Sequence, residues 1–447
     1  MEYIALIFFA AVLLFLLTGI PVSFVLGGLS VWVGYWVLGE EFFRFLPSRI
    51  FGVMQNYVLI AVPLFIFMGV TLERAGIAED LLRAMAKVFR GVVGGMAVSV
   101  VWVGALLAAS TGIVGATVVT MGAISLPILL KYGYRPSFAS GIIAASGTLG
   151  QIIPPSIVLV LLGSVFNVSV GDLFAAAILP GALLVLGYTL FALWASYRDR
   201  EHLKSAEKRL ESVDSELTPI KGVHFWFTLV VPLFLIVAVL GSIFAGIASP
   251  TEAAAIGAAG SLLIAAGRGK LNLNLVRQVA RETTYMSSMV FFILLGATTF
   301  SLVFRGLNGD IFLIDFFTEG GYSAREFLWV VMIIVFVAGF FIDFIEIIFI
   351  VVPVILPIIK AYGFGDFSTA LTSESELLLW FAILLAINLQ TSFLTPPFGF
   401  SLFYLKGVAG DRVSTQDMYR GILPFIVMQL VLIVLLIVFP RLIFVTL

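Results

Sequence analysis

The chain has no cysteine, only two histidines and few charges: 11% of its 447 residues are Asp, Glu, Lys or Arg, against about 25% in soluble proteins. The first absence excludes disulfides and thiolate metal sites. His202 and His224 lie in or beside a polar central loop, away from any buried acidic cluster, so a zinc or heme centre lacks its donors. Walker A, HExxH and the GxSxG elbow are also missing, and ATP hydrolysis by this chain has no supporting motif. What fills the chain is apolar sequence: 61% of the residues are hydrophobic, well above the roughly 45–50% of soluble domains. This is the composition of an all-α polytopic membrane protein. Runs such as Ile4 to Leu38, Val92 to Leu130 and Phe327 to Ile359 are too long for one crossing of about 20 residues and too short for two, so hairpins and broken helices are expected. Glu2 stands where a signal peptide would carry a basic region, so the first run reads as a retained helix.

One unusual cassette occurs twice. "LPILLKYGY" at Leu126 to Tyr134 returns as "LPIIKAYGF" at Leu356 to Phe364. Each copy is followed by a polar double-proline interruption, "SGTLGQIIPPS" (Ser146 to Ser156) and "NLQTSFLTPPF" (Asn388 to Phe398), and each closes with an acidic residue shortly before Leu-Pro. Prolines remove backbone donors and clash with the preceding turn, so carbonyls around 147–153 and 390–395 lose intrahelical partners. Backbone left unsatisfied at membrane depth is tolerated only under protein or beside a water-filled cavity. Freed carbonyls together with Thr148, Thr391, Ser392 and Thr395 form an oxygen-rich shell suited to a hard cation such as sodium.

Charge sets the threading. When the apolar runs alternate across the bilayer, six of the 25 basic residues (Arg44, Arg49, Arg305, Arg325, Lys360 and Arg441) fall on one side and the rest on the other. The richer side is cytoplasmic by the positive-inside rule, and both termini then face the periplasm. The first hairpin candidate, within 94–130, is entered from inside, and the second, within 327–359, from outside. The duplication therefore reads as two inverted repeats, each with a re-entrant helical hairpin and a proline-broken transmembrane helix. The chain divides into scaffold helices and a first arm (1–91), first hairpin and broken helix (92–172), closing helix and cytoplasmic connector (173–222), second scaffold helices and arm (223–326), second hairpin and broken helix (327–416) and a final helix (417–447).

The hairpins differ in chemistry. The first gathers Ser110, Thr111, Gly112, Gly115 and Thr117, a composition that suits either a ligand-facing tip or close helix packing. The second carries Asp343 and Glu346 in apolar sequence. A carboxylate at the bilayer centre costs about 2.5–3.5 kcal/mol on insertion scales, so it needs a cavity, a cation or a partner, although an Asp also caps a half-helix. "GFGD" at Gly363 to Asp366 matches an intramembrane aspartyl protease pattern, but it opens the polar stretch "GDFSTALTSESE" and reads as a surface loop.

"TGIPVSFVLG", "VPLFIFMGVTLERAGIAEDLL", "SGTLGQIIPPSIVLVLLG", "SVGDLFAAAILPG", "SPTEAAAIGA" and "LTPPFGFSLFYLKG", in this order from Thr18 to Pro424, resemble the large membrane subunit of TRAP (tripartite ATP-independent periplasmic) transporters. The resemblance implies a sodium-coupled importer of organic acids in the bacterial inner membrane, working by an elevator-like movement of the hairpin-bearing domain. It implies as partners a periplasmic solute-binding protein and a small four-helix membrane subunit. No such four-helix extension precedes Met1, so the small subunit is expected as a separate chain. Carried onto this sequence, one sodium site would involve Thr111, Gly112, Gly150, Ile153 and Pro155, and the other Asp343, Gln390, Thr391, Thr395 and Gly399. Ser110, Thr148, Glu346 and Ser392 stand as candidate substrate contacts. The pattern departs from the family at Ile113, where many relatives carry a serine, and at "IDFIEI", where others carry a small residue and a proline after the Asp.

Overall fold

The computed structural model describes residues 2–89, 91–111, 114–203, 223–397 and 399–447, and among them every regular element is helical. The chain runs through α1 (Glu2–Leu16), α2 (Val22–Leu38), α3 (Leu46–Met54), α4 (Ala61–Arg74), α5 (Ile77–Val88), α6 (Gly95–Thr111), α7 (Val114–Lys131), α8 (Pro136–Thr148), α9 (Ile157–Phe166) and α10 (Val170–Arg198). It continues through α11 (Val223–Phe244), α12 (Pro250–Gly267), α13 (Leu273–Gly306), α14 (Gly309–Thr318), α15 (Ala324–Ala338), α16 (Phe344–Tyr362), α17 (Glu374–Leu394), α18 (Phe400–Ala409) and α19 (Thr415–Val438). Seven of the described helices are long and apolar enough to cross a membrane. Large apolar side chains such as Phe24 (66% exposed), Leu263 (74%) and Val431 (60%) line the outside. An apolar surface of this extent is untenable in water and belongs against lipid.

Local chemistry explains where the helices begin. Ser249 and Ser323 each accept from the backbone N–H three residues on, while Glu252 and Glu326 accept from the serine N–H in return. These reciprocal bonds satisfy donors that a helix start leaves orphaned. The acidic residue that closes each cassette has the same explanation. Asp172 and Asp417 are the third residues of α10 and α19, and their N–H groups donate to Ser169 Oγ and Ser414 Oγ.

Two central helices organise the packing. α17 is buried around its whole circumference from Leu377 to Leu394, and α8 from Ala139 to Thr148. The helix pair α6/α7 lies against α8; of the pair α15/α16, α15 lies along α17 while α16 packs chiefly on α9 and α13. α19 crosses α8 in the most extensive helix contact of the protein. Glycine permits that crossing: a Cβ on Gly141 would stand 2.2 Å from the Gly421 carbonyl oxygen, and one on Gly421 would stand 1.8 Å from that of Ser137. A second group, α2, α4, α12 and α13, packs chiefly within itself. Ion pairs tie its edges, Arg74 with Glu282 between α4 and α13, and the mostly buried Arg268 with Asp80 between the end of α12 and α5. The α5 arm buries Ile77, Ala78, Leu81, Leu82 and Met85, a single helical face.

Candidate functional site

Both double prolines break their helices, and both Pro-Pro bonds, Pro154-Pro155 and Pro396-Pro397, are cis. After α8 the chain makes one tight turn over Leu149–Gln151 and resumes as α9. After α17 it passes through Thr395 to Gly399 and resumes as α18. The breaks are less bare than the prolines alone imply. Leu149 O accepts from the N–H of Ile152 and Ile153, Ser392 O from Thr395 N–H, and Thr395 O from Gly399 N–H. Ser156 Oγ donates to Gln151 O (2.8 Å) and Ser401 Oγ to Phe393 O (3.0 Å). Gln151 and Phe393 occupy the same place, three residues before the first proline. A serine at the start of the following half-helix, Ser156 just before α9 and Ser401 in the first turn of α18, thus reaches back to the same carbonyl in each break, a parallel that the sequence reading missed.

The helix pairs hold the breaks by different means. In the first, Gly104 of α6 sits on Ser146, where an added Cβ would lie 2.5 Å from the serine Cβ. Gly147 faces the Val118 backbone of α7, with Cα 3.1 Å from such a Cβ, and Gly150 faces the Ala108 carbonyl at 3.1 Å. The end of α8 is therefore clasped between α6 and α7 by near-backbone contact. In the second, Asn388 Nδ2 donates to Met332 O of α15 (2.8 Å), Phe344 packs on Phe393 (5.8 Å between rings), and Gly339 meets the Ser392 side chain.

Of the candidate site residues, Thr148, Gly150, Ile153, Pro155, Gln390, Thr391, Ser392, Thr395 and Gly399 lie in or next to the two breaks, and Asp343 and Glu346 begin α16. Thr111 is the last residue of α6 and Ser110 precedes it, while Gly112 lies outside the described residues. Thr148 is buried and donates to Ala145 O (2.9 Å), Pro155 is buried, and half-buried Ile153 rests 3.3 Å from where a Cβ would stand on Gly181 of α10. Thr391 donates to Ile387 O (2.7 Å), Ser392 to Leu389 O (2.9 Å) and Thr395 to Thr391 O (2.7 Å), leaving each hydroxyl oxygen its lone pairs. Gly399 is buried against the carbonyls of Leu394 and Thr395, each 3.2 Å from where its Cβ would be. Asp343 caps α16, accepting from Phe344 N–H at 2.6 Å, and Glu346 accepts from Asp343 N–H at 3.3 Å. Asp366 is exposed beyond the other end of α16. Nineteen residues of helix at 1.5 Å each put it about 28 Å from Asp343 along the axis, too far for a carboxylate pair.

Two side chains stand out by what they lack. Gln151 and Gln390 are fully buried, and among the described residues neither amide oxygen nor amide nitrogen of either has a hydrogen-bond partner; Ser146 Oγ is likewise unpartnered. An unsatisfied buried polar group costs about 1–3 kcal/mol. Such groups on both breaks offer neutral oxygen donors of the kind that hard cations take. Gln390 was expected at the site from the sequence; Gln151 and Ser146 were not, although both lie in the quoted cassette. The turn that carries Gln151 contacts both α6 and α17, so the first break packs against the helix that leads into the second. Among the described residues no group of three or more His, Cys, Asp or Glu converges.

Residues 9–442 match the family model described as "Tripartite ATP-independent periplasmic transporter, DctM component". The chain is 29% identical over 448 residues to the C4-dicarboxylate TRAP transporter large permease protein DctM of Rhodobacter capsulatus, covering 96% of each. It is 27% identical over 418 residues to the isethionate TRAP transporter permease protein DctMQ of Oleidesulfovibrio alaskensis, covering 93% of this chain and 62% of that longer relative. Among solved structures the fold is similar to the YdaH transporter of Alcanivorax borkumensis, with a TM-score of 0.65 at 15% identity over 98% of both chains. With clasped, proline-broken helices at its centre and a family match over nearly its whole length, the chain belongs to the large permease (DctM) component family of TRAP transporters.

Proposed function

We propose that this permease imports a small organic acid together with sodium, receiving the acid from a periplasmic binding protein and moving it by an elevator-type exchange between the two membrane faces. The observation that carries the reading is the pair of clasped breaks, each with hydroxyls and an unpartnered buried glutamine beside interrupted backbone. Thr111, Gly112, Gly150, Ile153 and Pro155, joined by Gln151, would hold one sodium. Asp343, Gln390, Thr391, Thr395 and Gly399 would hold the other, and Ser110, Thr148, Glu346 and Ser392 would face the acid.

Reciprocal packing supports the inverted repeat. α16, the second helix of the second pair, leans on α9, and α7, the second helix of the first pair, leans on α18. Each pair thus rests on the half-helix of the other copy, as a two-fold relation requires. A self-packed group of α2, α4, α12 and α13 beside the clasped core supports a fixed scaffold and a moving domain. The acid class is supported by the relatives, whose names specify C4-dicarboxylates and isethionate. The small membrane subunit would join as a separate chain, with both termini of this one in the periplasm.

The test is uptake into proteoliposomes that contain this chain, the small subunit and the binding protein loaded with radiolabelled acid. Accumulation is expected only under an inward sodium gradient. Equal accumulation when potassium replaces sodium would overturn sodium coupling. Uptake that proceeds without the binding protein would instead make this a single-component carrier.

A further inference from the structure

A cavity of about 170 Å³ lies between α13, of the self-packed group, and α9 with α16, of the clasped core. Its wall on α13 is one helical stripe in which Thr298, Ser301 and Arg305 recur at helical spacing. Phe349 and Pro353 of α16 face them, and Arg49 of α3 completes the lining. Arg74, Arg83, Arg135, Arg268 and Arg441 each have a carboxylate partner within the chain. Arg49 and Arg305, both exposed, have none among the described residues, as several other surface arginines have none, and these two line one cavity together. Ser301 Oγ makes no hydrogen bond among the described residues either, whereas Thr298 Oγ1 donates to Leu294 O (2.8 Å). A placement of Arg305 in the last turn of α13 is favoured by the helix dipole. That effect accounts for one arginine and not for its convergence with a second from α3.

We propose that this cavity is an anion-receiving subsite in which Arg49 and Arg305 take the carboxylate of the transported acid, with Ser301 as a further donor and Phe349 and Pro353 against its carbon skeleton. Guanidinium forks match carboxylate geometry and are always charged, so two of them in one cleft select an anion whatever its remaining structure. The volume suits a small acid, since a cavity of about 150 Å³ accommodates a benzene-sized body. The inference rests on the reading of the chain as an organic-acid permease and adds a place where the acid is held at the boundary between scaffold and moving domain. It also supplies a carboxylate reader that the two breaks, with their neutral donors, do not.

The missing cysteines make the test direct. Ser301→Cys puts the only thiol of the chain into the cavity, and its modification is followed in phosphatidylcholine vesicles, without sodium and without transport, by an anionic sulfonate and a cationic ammonium methanethiosulfonate reagent. The anionic reagent is expected to react about tenfold faster than the cationic one, the low end of electrostatic focusing in a cleft. Arg49→Gln with Arg305→Gln should abolish that preference, and millimolar succinate should slow labelling while its uncharged diamide does not. Equal rates for both reagents, or a preference that survives loss of both arginines, would overturn the proposal. Slowing by added phosphatidylglycerol but not by succinate would also overturn it, by assigning the cavity to a lipid headgroup. Thr298→Cys, one turn away, repeats the measurement if the first variant does not fold. Since no step uses sodium, failure here leaves coupled uptake standing, and failure of coupled uptake leaves this result readable.

Discussion

The two broken-helix cassettes share a plan and solve it with different chemistry. Counted back from the first proline, Gly141, Ser146, Gly147 and Gly150 of the first stand where Ile383, Asn388, Leu389 and Ser392 stand in the second. The first cassette is assembled by removal of side chains, so that α6, α7 and α19 approach the α8 backbone. The second is assembled by side chains that reach out, with Asn388 bonded to α15 and a full apolar circumference on α17. Membrane helices gain nothing from hydrophobic burial against each other relative to lipid, so association rests on close packing and hydrogen bonds. Each cassette leans mainly on one of these two terms, and the two should therefore fail differently when altered.

The largest effect is expected at the glycine crossing. Gly141→Ala would place a methyl 2.2 Å from the Gly421 carbonyl oxygen, a backbone atom that no rotamer change can move. The helices must separate, and overpacking of this kind costs about 1–3 kcal/mol or more. Thermal unfolding of the purified protein should show a clear loss of stability, and Gly421→Ala should match it. At the equivalent second-cassette position, Ile383→Val should cost about 0.5–1.5 kcal/mol. Comparable stability of Gly141→Ala and the parent protein would show that α8 and α19 are not in backbone contact.

The next effect separates the cassettes at a single matched position. Asn388→Ala removes the hydrogen bond to the Met332 carbonyl at a buried helix interface, a loss of about 0.5–1.5 kcal/mol. Ser146, its counterpart, has no hydrogen bond to lose among the described residues, and alanine keeps the Cβ that packs on Gly104, so Ser146→Ala should leave stability close to that of the parent. If Ser146→Ala is as damaging as Asn388→Ala in the same unfolding assay, the two positions hold their helix pairs alike and the contrast collapses.

These matched positions also show what can be read from sequence. Double prolines announce the breaks because a missing N–H acts locally. Serine followed three residues later by an acid announces helix starts for the same reason, which turns the repeated acid of "SVGD" and "STQD" into a cap. The helix pairs were legible from hydropathy and length. α13 reaches well beyond its apolar stretch because its first turns are polar; it begins at Leu273, where Asn272 accepts from the Leu275 N–H. Contacts between distant segments were not legible. Gly104 on Ser146, Gly147 on Val118, and Arg49 beside Arg305 depend on how helices cross, and nothing within one segment encodes its partner. Gln151 was overlooked because one amide in an apolar run carries no pattern; its significance lies in the partner it lacks.

The smallest expected effect on stability is the most informative about function. Asp343 is the sharpest chemical difference between the cassettes: the second has a carboxylate at the junction of its helix pair, and the described part of the first has only neutral groups there. The same residue caps α16 through the Phe344 N–H, so its presence alone does not separate a structural role from an electrostatic one. Asn does separate them. It caps as well as Asp and keeps the acceptor oxygen, so Asp343→Asn should alter stability by no more than about 0.5 kcal/mol. The backbone N–H that Glu346 accepts from is untouched. What changes is one negative charge in a low-dielectric setting, where a nearby cation is held more strongly than in water. Uptake by Asp343→Asn should therefore need more sodium for half-saturation, while Ser146→Ala in the neutral cassette should shift it less. A normally folded Asp343→Asn protein with unchanged sodium dependence would reduce this carboxylate to a helix cap and remove the electrostatic distinction between the two halves.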